Sequence, residues 1–429
     1  MRMQEKKVKV CDAIMGSGKT EAAITYMNEH PERRFIYITP YLTEAARIRK
    51  GCPELHFVEP SNKLSEYKFK KTLHTAALIE EGRNITTTHA AFKNYTKETL
   101  AKIRELGYTL IIDESIEILV ESRLKPTDLK MLESAGLLET DGRTYWSTDE
   151  PYDGGKFEEE VNMLRSRRIV GIESRGKQKL YYWALPPELI TSFDEVFILT
   201  YLFSGQSMWC FMKIYDIPYQ YIGVSYDNGV YRFSDNIDYI PEYTKHLKDL
   251  IHIEESERLN RIGNGEHALS MNWYNQRKMG EDGELQVVKN HICNCFNHRW
   301  KPSKPNERMW GTYKCARNKI KGKGYTKGYV VFNERATNTY IDKKYLAYAV
   351  NVFMNVNEKL VYKSFGIEIN EDIYALSTML QWMWRSAIRR GEEIWVYVPS
   401  RRMRTLLKDW IERVQNGDNN EDNNEQDFC

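Results

Sequence analysis

Through the first two hundred residues, short apolar runs alternate with segments of helical spacing. The runs at 8–12 (VKVCD), 34–39 (RFIYIT), 84–88 (NITTT) and 108–113 (YTLIID) are almost continuously apolar or β-branched, as in strands covered on both faces. Between them, 21–30 (EAAITYMNEH), 41–50 (YLTEAARIRK) and 91–107 (AFKNYTKETLAKIRELG) repeat apolar side chains every three to four positions. Strands alternating with helices predict an α/β fold with a parallel, doubly wound sheet. Another strand is predicted at 197–204 (FILTYLFS). From about 120 to 190 the rhythm changes. Two helices (126–138 and 157–169) flank the polar, turn-rich TDGRTYWSTDEPYDGG, and KQKLYYWALP follows. This is more chain than two connections need, and predicts an insertion in a first lobe.

The second half is less regular. Strand-like pieces occupy 220–224 and 229–233, an amphipathic helix is expected over 243–261, and 268–274 would open a second α/β lobe. A strand from 329 runs into a polar turn before the helix-like YLAYAVNVFMN (345–355). Residues 372–391 read as one helix, 393–399 as a last strand and 400–414 as a last helix. The expected division is 1–205 for lobe 1, 206–415 for lobe 2, and 416–429 (NGDNNEDNNEQDFC) as a disordered acidic tail.

Composition narrows the function. The 429 residues carry a net charge of only +2, so any basic surface is local. Ten Lys or Arg against one acid, Glu307, in residues 299–328 make such a surface, with Trp300, Trp310, Tyr313 and Tyr325 interleaved. Cations for phosphates and rings for bases suit a single strand, with Lys321 and Lys323 in a glycine-loosened loop. Seven scattered cysteines suggest a reduced, cytoplasmic setting. No apolar h-region opens the chain, and no run is long enough to span a membrane. Cys293-x-Cys295, near His291, His298 and Cys315, lacks the spacing of a structural zinc knuckle.

The strongest chemical signal is VKVCDAIMGSGKT at 8–20. A strand breaking into a glycine turn can aim the amides of Met15, Gly16, Ser17 and Gly18 at a phosphate. Lys19 would hold the β/γ-phosphates and Thr20 a Mg²⁺ ion. Ala13 stands where such loops usually begin with glycine. Asp113 and Glu114 end the most apolar strand. In a parallel sheet they face the same crevice, Asp113 as a Mg²⁺ ligand and Glu114 polarising the attacking water.

These residues resemble superfamily 2 (DEAD/DEAH-like) helicases of the small phage-encoded type. GSGKT is similar to motif I and IDES to motif II, with Ser115 where alanine usually stands. The segments at motifs Ia and Ib contain Thr39, Tyr41, Thr88 and His89, which the resemblance assigns to a nucleic-acid strand. Residues 197–204 resemble motif III, with Tyr201 replacing a small residue. Thr337 and Asn338 lie in a motif V-like turn. Gln381 and Arg385 match motif VI, and Arg389 follows at i+8, one residue beyond the usual second arginine.

The resemblance implies two tandem RecA-like parallel-sheet lobes with ATP and Mg²⁺ between them. It implies Arg385 or Arg389 as an arginine finger and a helicase or translocase working in phage replication or recombination. Partners would be single-stranded or forked DNA, with RNA left open, and a single-strand-binding or replication protein. The alternatives are a terminase-like motor that does not unwind and a binding module with a decayed ATPase. The first would carry a nuclease's clustered acids in the C-terminal half, where this sequence has a Gln/Arg helix and a basic loop, and intact Lys19, Thr20, Asp113 and Glu114 oppose the second.

Overall fold

The computed structural model describes residues 7–173, 179–237, 239–280, 283–333 and 339–417. Two compact units divide the chain. The first comprises Met1–Ala13, Gly18–Tyr239 and Asn355–Ile369, the second Ile14–Ser17, Ile240–Met354 and Asn370–Cys429.

The first unit is built on a seven-stranded sheet. Its members are β1 (Val8–Asp12), β2 (Arg34–Thr39), β3 (Ile85–Thr88) and β4 (Tyr108–Asp113), then β10 (Glu195–Thr200), β11 (Tyr219–Asp227) and β12 (Val230–Ser234). Their order is β12-β11-β1-β10-β4-β2-β3, parallel throughout except for the β11–β12 hairpin. The near-continuous apolar runs follow from this arrangement, since a strand covered on both faces has no solvent side. On one face, Cys11, Phe35, Tyr37, Ile111, Phe197 and Leu199 pack under the helices Lys19–Glu29 and Leu42–Gly51, which contribute Ala22, Ala23, Met27 and Ile48.

The insertion forms a small antiparallel sheet with its own core within the first unit. It holds β5 (Leu119–Glu121), β6 (Leu138–Thr140), β7 (Thr144–Ser147), β8 (Arg168–Glu173) and β9 (Lys179–Ala184), in the order β5-β9-β8-β7-β6. Its core joins Leu129 and Leu132 of one helix, Val161 and Leu164 of another, and Ile169, Tyr181 and Trp183 of the sheet.

The second unit holds four parallel strands, β13 (Ile251–Ile253), β14 (Arg308–Gly311), β15 (Tyr345–Tyr348) and β16 (Ile394–Tyr397), in the order β13-β16-β15-β14. The α/β class with two parallel sheets and an insertion is therefore present.

Several expectations need correction. The boundary expected at 205/206 falls instead at 239/240, because β11 pairs directly with β1 and carries its hairpin into the first sheet. Asn355–Ile369 also returns to the first unit. There Arg143 lies 3.8 Å from the centre of the Phe365 ring and donates to Ser364 Oγ at 2.5 Å. The segment YLAYAVNVFMN is a strand at its start, β15, not a helix. Residues 243–261 form short helical turns around β13. The acidic tail from 418 onward lies outside the described residues.

Candidate functional site

Parallel pairing places the carboxyl ends of the strands side by side. Asp12 pairs with Thr200, Leu199 with Asp113, Ile38 with Ile112 and Thr39 with Thr88. One strand, β10, separates β1 from β4, so Asp12 and Asp113 stand about 10 Å apart at the usual strand spacing. This edge is where an open α/β sheet binds its ligand.

The loop after β1 needs its glycines. Gly16 and Gly18 have φ of 82° and 87°, conformations costly for residues with a Cβ. A Cβ on Gly18 would also lie 2.2 Å from the Tyr231 ring on β12. Ser17 donates its amide to Ile14 O at 3.2 Å, while its buried hydroxyl has no partner. Lys19 opens the helix and donates to the carbonyl of Ala13. Burial draws its ammonium below the usual range, against the opposing fields of Cys11, Asp12, Asp113 and Glu114. Thr20 follows in the first helical turn.

Asp113 ends β4 half-buried, and burial, with the Glu114 charge next, lifts its carboxyl to about 7. Tyr37 Oη donates to Asp113 Oδ2 at 2.9 Å and works against that rise. Glu114 turns into the left-handed region at φ 64° and donates its amide to Leu199 O at 3.0 Å. Its Oε2 is buried without a hydrogen-bond partner. An orphaned carboxylate oxygen beside Asp113, with Lys19 within electrostatic reach of both, is a donor set suited to Mg²⁺ and a triphosphate.

The residues expected on a strand divide. Thr88 Oγ1 accepts from Ala91 N at 3.3 Å and caps a helical turn. His89, 8% exposed, donates Nε2–H to the Asp113 carbonyl at 2.8 Å. Thr39 is fully buried, with its hydroxyl unpartnered, and Tyr41 caps the helix Leu42–Gly51. Thr337 and Asn338 lie outside the described residues.

The basic segment is not a loose loop. Trp310, Tyr313 and Tyr325 are buried, the first on β14. Gly322 and Gly328 are packing positions, since a Cβ would come within 2.6 Å of Tyr325 and 2.5 Å of Arg308 O respectively. Lys321 and Lys323 are exposed, and Lys319 is tied to the carbonyls of Tyr274 and Arg277 at 2.6 Å. Nearby, His291 Nδ1–H donates to Leu259 O at 2.9 Å.

The expected helix over 372–391 stops early, at Met383. Ser386 is extended and donates its hydroxyl to Met383 O at 2.6 Å, a side chain competing with the helix for its backbone. Gln381 and Arg385 remain together, with Arg385 Nε donating to Gln381 O at 3.0 Å. Arg385 is 3% exposed, whereas Arg389 sits on a separate 3₁₀ turn facing solvent and not on the same face.

Asp12 escaped the sequence reading. Its carboxylate accepts from the amides of Leu202 at 2.7 Å and Phe203 at 2.9 Å, fixing the turn after β10 where Leu202 has φ 58°. Its one signal was an acid at the end of the strand that runs into the glycine turn. The same turn is braced by Gln206, which meets Thr200 Oγ1 at 2.7 Å and donates to Tyr201 O at 2.8 Å.

A family model described as the YonV C-terminal Rossmann-like domain matches residues 245–411. The chain is 36% identical over 422 residues to the SPbeta prophage-derived uncharacterized protein YonV of Bacillus subtilis strain 168, covering 95% of this chain and 99% of that protein. Among solved structures, one titled XPD_APO aligns over 94% of this chain and 95% of its own, at 12% identity and a TM-score of 0.40. The structure of S. tokodaii Xpd4 aligns over 95% and 94%, at 12% identity and a TM-score of 0.39.

Proposed function

The chain belongs to the YonV family, and from the residues at its sheet edge we propose that it is an ATP-hydrolysing translocase of the helicase type, acting on nucleic acid. The observation that carries this reading is the buried, partnerless Oε2 of Glu114 beside Asp113, in the same electrostatic field as Lys19. Met15, Gly16, Ser17 and Gly18 cradle the phosphates of ATP, and Lys19 exchanges the Ala13 carbonyl for a phosphate oxygen. Thr20 and Asp113 would hold Mg²⁺, which would neutralise phosphate charge. Glu114 takes a proton from the attacking water as the γ-phosphorus–oxygen bond forms and the bond to the β-phosphate oxygen breaks. Arg385, with Gln381 beside it, supplies the stabilising cation, and Arg389 serves at most an outer role. His89 links the strand-gripping segment to hydrolysis through its bond to the Asp113 carbonyl. The prophage origin of the relative favours work on phage DNA in replication or recombination.

The test is ATP turnover with single-stranded DNA, duplex DNA or single-stranded RNA at fixed salt. Stimulation by one single strand, lost in Lys19→Ala and Glu114→Gln, supports the reading and identifies the track. Equal turnover with every nucleic acid refutes it in favour of a packaging or remodelling motor. Arg385→Ala with unchanged turnover removes the finger from the scheme.

A further inference from the structure

A cavity of about 510 Å³ opens within the first unit, away from the sheet edge. One wall is the helix Lys97–Leu106. The others are β7, the turn 165–167 that leads into β8, and the stretch after β9. Its cations are unevenly matched. Arg168 pairs with Glu188 at 3.1 Å and Lys97 with Asp149 at 2.8 Å, and Arg104 donates to Ser192 Oγ at 3.2 Å. Arg165 and Arg167 have no carboxylate among the described residues, and the Nε of each is buried without a hydrogen-bond partner. Among the described residues Arg167 reaches the Asn94 side chain alone, at 3.1 Å, and burial pulls its guanidinium below the usual range. Tyr95 Oη is a third buried group without a partner.

Two arginines, two residues apart on one turn and each with a buried, unpartnered Nε, are costly to leave incompletely bonded and complementary to an anion with several acceptor oxygens. Arginine's planar fork favours phosphate. The remaining wall is ring and hydrocarbon, with Trp146 steered by its Nε1–H bond to Glu139 at 3.1 Å and Tyr95, Leu164 and Pro186 around it. A nucleoside monophosphate, at roughly 300 Å³, lies at the small end of ordinary ligand sites and fits here with room for water.

We infer that this cavity is a second ligand site that takes one phosphorylated nucleotide unit, its phosphate against Arg165 and Arg167 and its base against Trp146 and Tyr95. The unit is either a free mononucleotide or the phosphorylated end of a strand. The inference does not rest on hydrolysis at the phosphate loop.

Full-length Lys19→Ala protein, with nucleotide binding at that loop removed, is titrated by calorimetry with AMP, inorganic phosphate, and oligothymidylate with and without a 5′-phosphate. The expected result is saturable 1:1 binding of AMP or of the 5′-phosphorylated strand, weakened at least tenfold by Arg167→Met or Arg165→Gln. AMP binding identifies a free nucleotide, and binding of the phosphorylated strand alone identifies a strand end. A merely structural Arg167 would lower the melting temperature when replaced. A ligand-binding one leaves it unchanged or higher in Arg167→Met, because an incompletely paired buried charge is removed. Trp146→Leu keeps the cations and tests the base contact separately. No saturable binding, affinity untouched by the arginine variants, or equal affinity for inorganic phosphate overturns the assignment.

Discussion

Replacing Asp12 by alanine tests how β1 organises the turn after β10. The carboxylate accepts from two amides, Leu202 at 2.7 Å and Phe203 at 2.9 Å, and Leu202 holds a left-handed backbone at φ 58°. Hydrogen bonds to a charged group contribute about 1.5–3 kcal/mol each, and leucine in that backbone region costs about 1–2 kcal/mol. Without the carboxylate both amides lose their acceptor while the strain remains. The turn can relax toward ordinary backbone, recovering part of the loss, so the expected net cost is about 3 kcal/mol. At a factor of ten per 1.4 kcal/mol, local opening of the turn becomes roughly a hundred times more frequent. Amide hydrogen exchange of the peptide spanning 200–206 reads this directly, with β15 as an internal control in the second unit. Asp12→Asn keeps one acceptor oxygen and turns an N–H toward the other amide, so its exchange falls between wild type and Asp12→Ala. Exchange at Leu202 and Phe203 within threefold of wild type in Asp12→Ala would refute the clamp.

Gly18→Ala adds a Cβ at φ 87° and 2.2 Å from the Tyr231 ring, so it should destabilise by about 2–4 kcal/mol. Tyr231→Ala on that background should recover part of the loss in a denaturant melt, and failure to do so would remove the steric explanation. Burial first, then the charges of Glu117 and Glu121, raise the Glu358 carboxyl to about 7. The folded protein thus keeps a proton that the unfolded chain loses near pH 4.5. Stability from this group is full below pH 4.5 and lost as pH rises to 7. Glu358→Gln should therefore be more stable than wild type by about 2 kcal/mol at pH 8, after allowance for partial exposure, with no gain near pH 4.5. Melting curves at the two pH values check the sign.

What the sequence made legible follows from how each segment is covered. The strands β1, β2 and β4 are sheathed on both faces, so each shows as an unbroken apolar run between helices of clear period. That regularity also exposed the glycine turn after β1 and the Asp113–Glu114 pair, because both sit where a strand ends. In the second unit the same covering made the run around Tyr345–Tyr348 ambiguous, since a short apolar stretch satisfies helix and strand alike and only its partners β14 and β16 decide. The three-residue strand β13 is too short to show a period of its own. The pairing of β11 with β1 joins residues two hundred positions apart, which no local pattern reports. Aromatic residues interleaved with cations suited a stacking surface and a core equally well. Trp310 and Tyr325, which share an edge-to-face contact at 5.2 Å, are core. Helical spacing places Arg389 in line with Arg385, but the hydroxyl of Ser386 draws the chain out of the helix between them.

Glu114 directly follows the last residue of β4. Adjacent residues in a regular strand point to opposite faces, so two carboxylates in sequence would ordinarily be separated by the sheet. Here β4 ends at Asp113, and the next residue swings into the left-handed region while its amide is captured by Leu199 of the neighbouring strand. Glutamate in that conformation costs about 1 kcal/mol relative to glycine, which would adopt it freely. A structural turn alone would not call for the acid. The carboxylate is then buried with one oxygen unpartnered, adding a second cost that glycine would avoid. Its charge also helps raise Asp113, so the two carboxylates repel each other. Strain, desolvation and repulsion all point the same way, and a divalent ion together with a polarised water would relieve the last two at once.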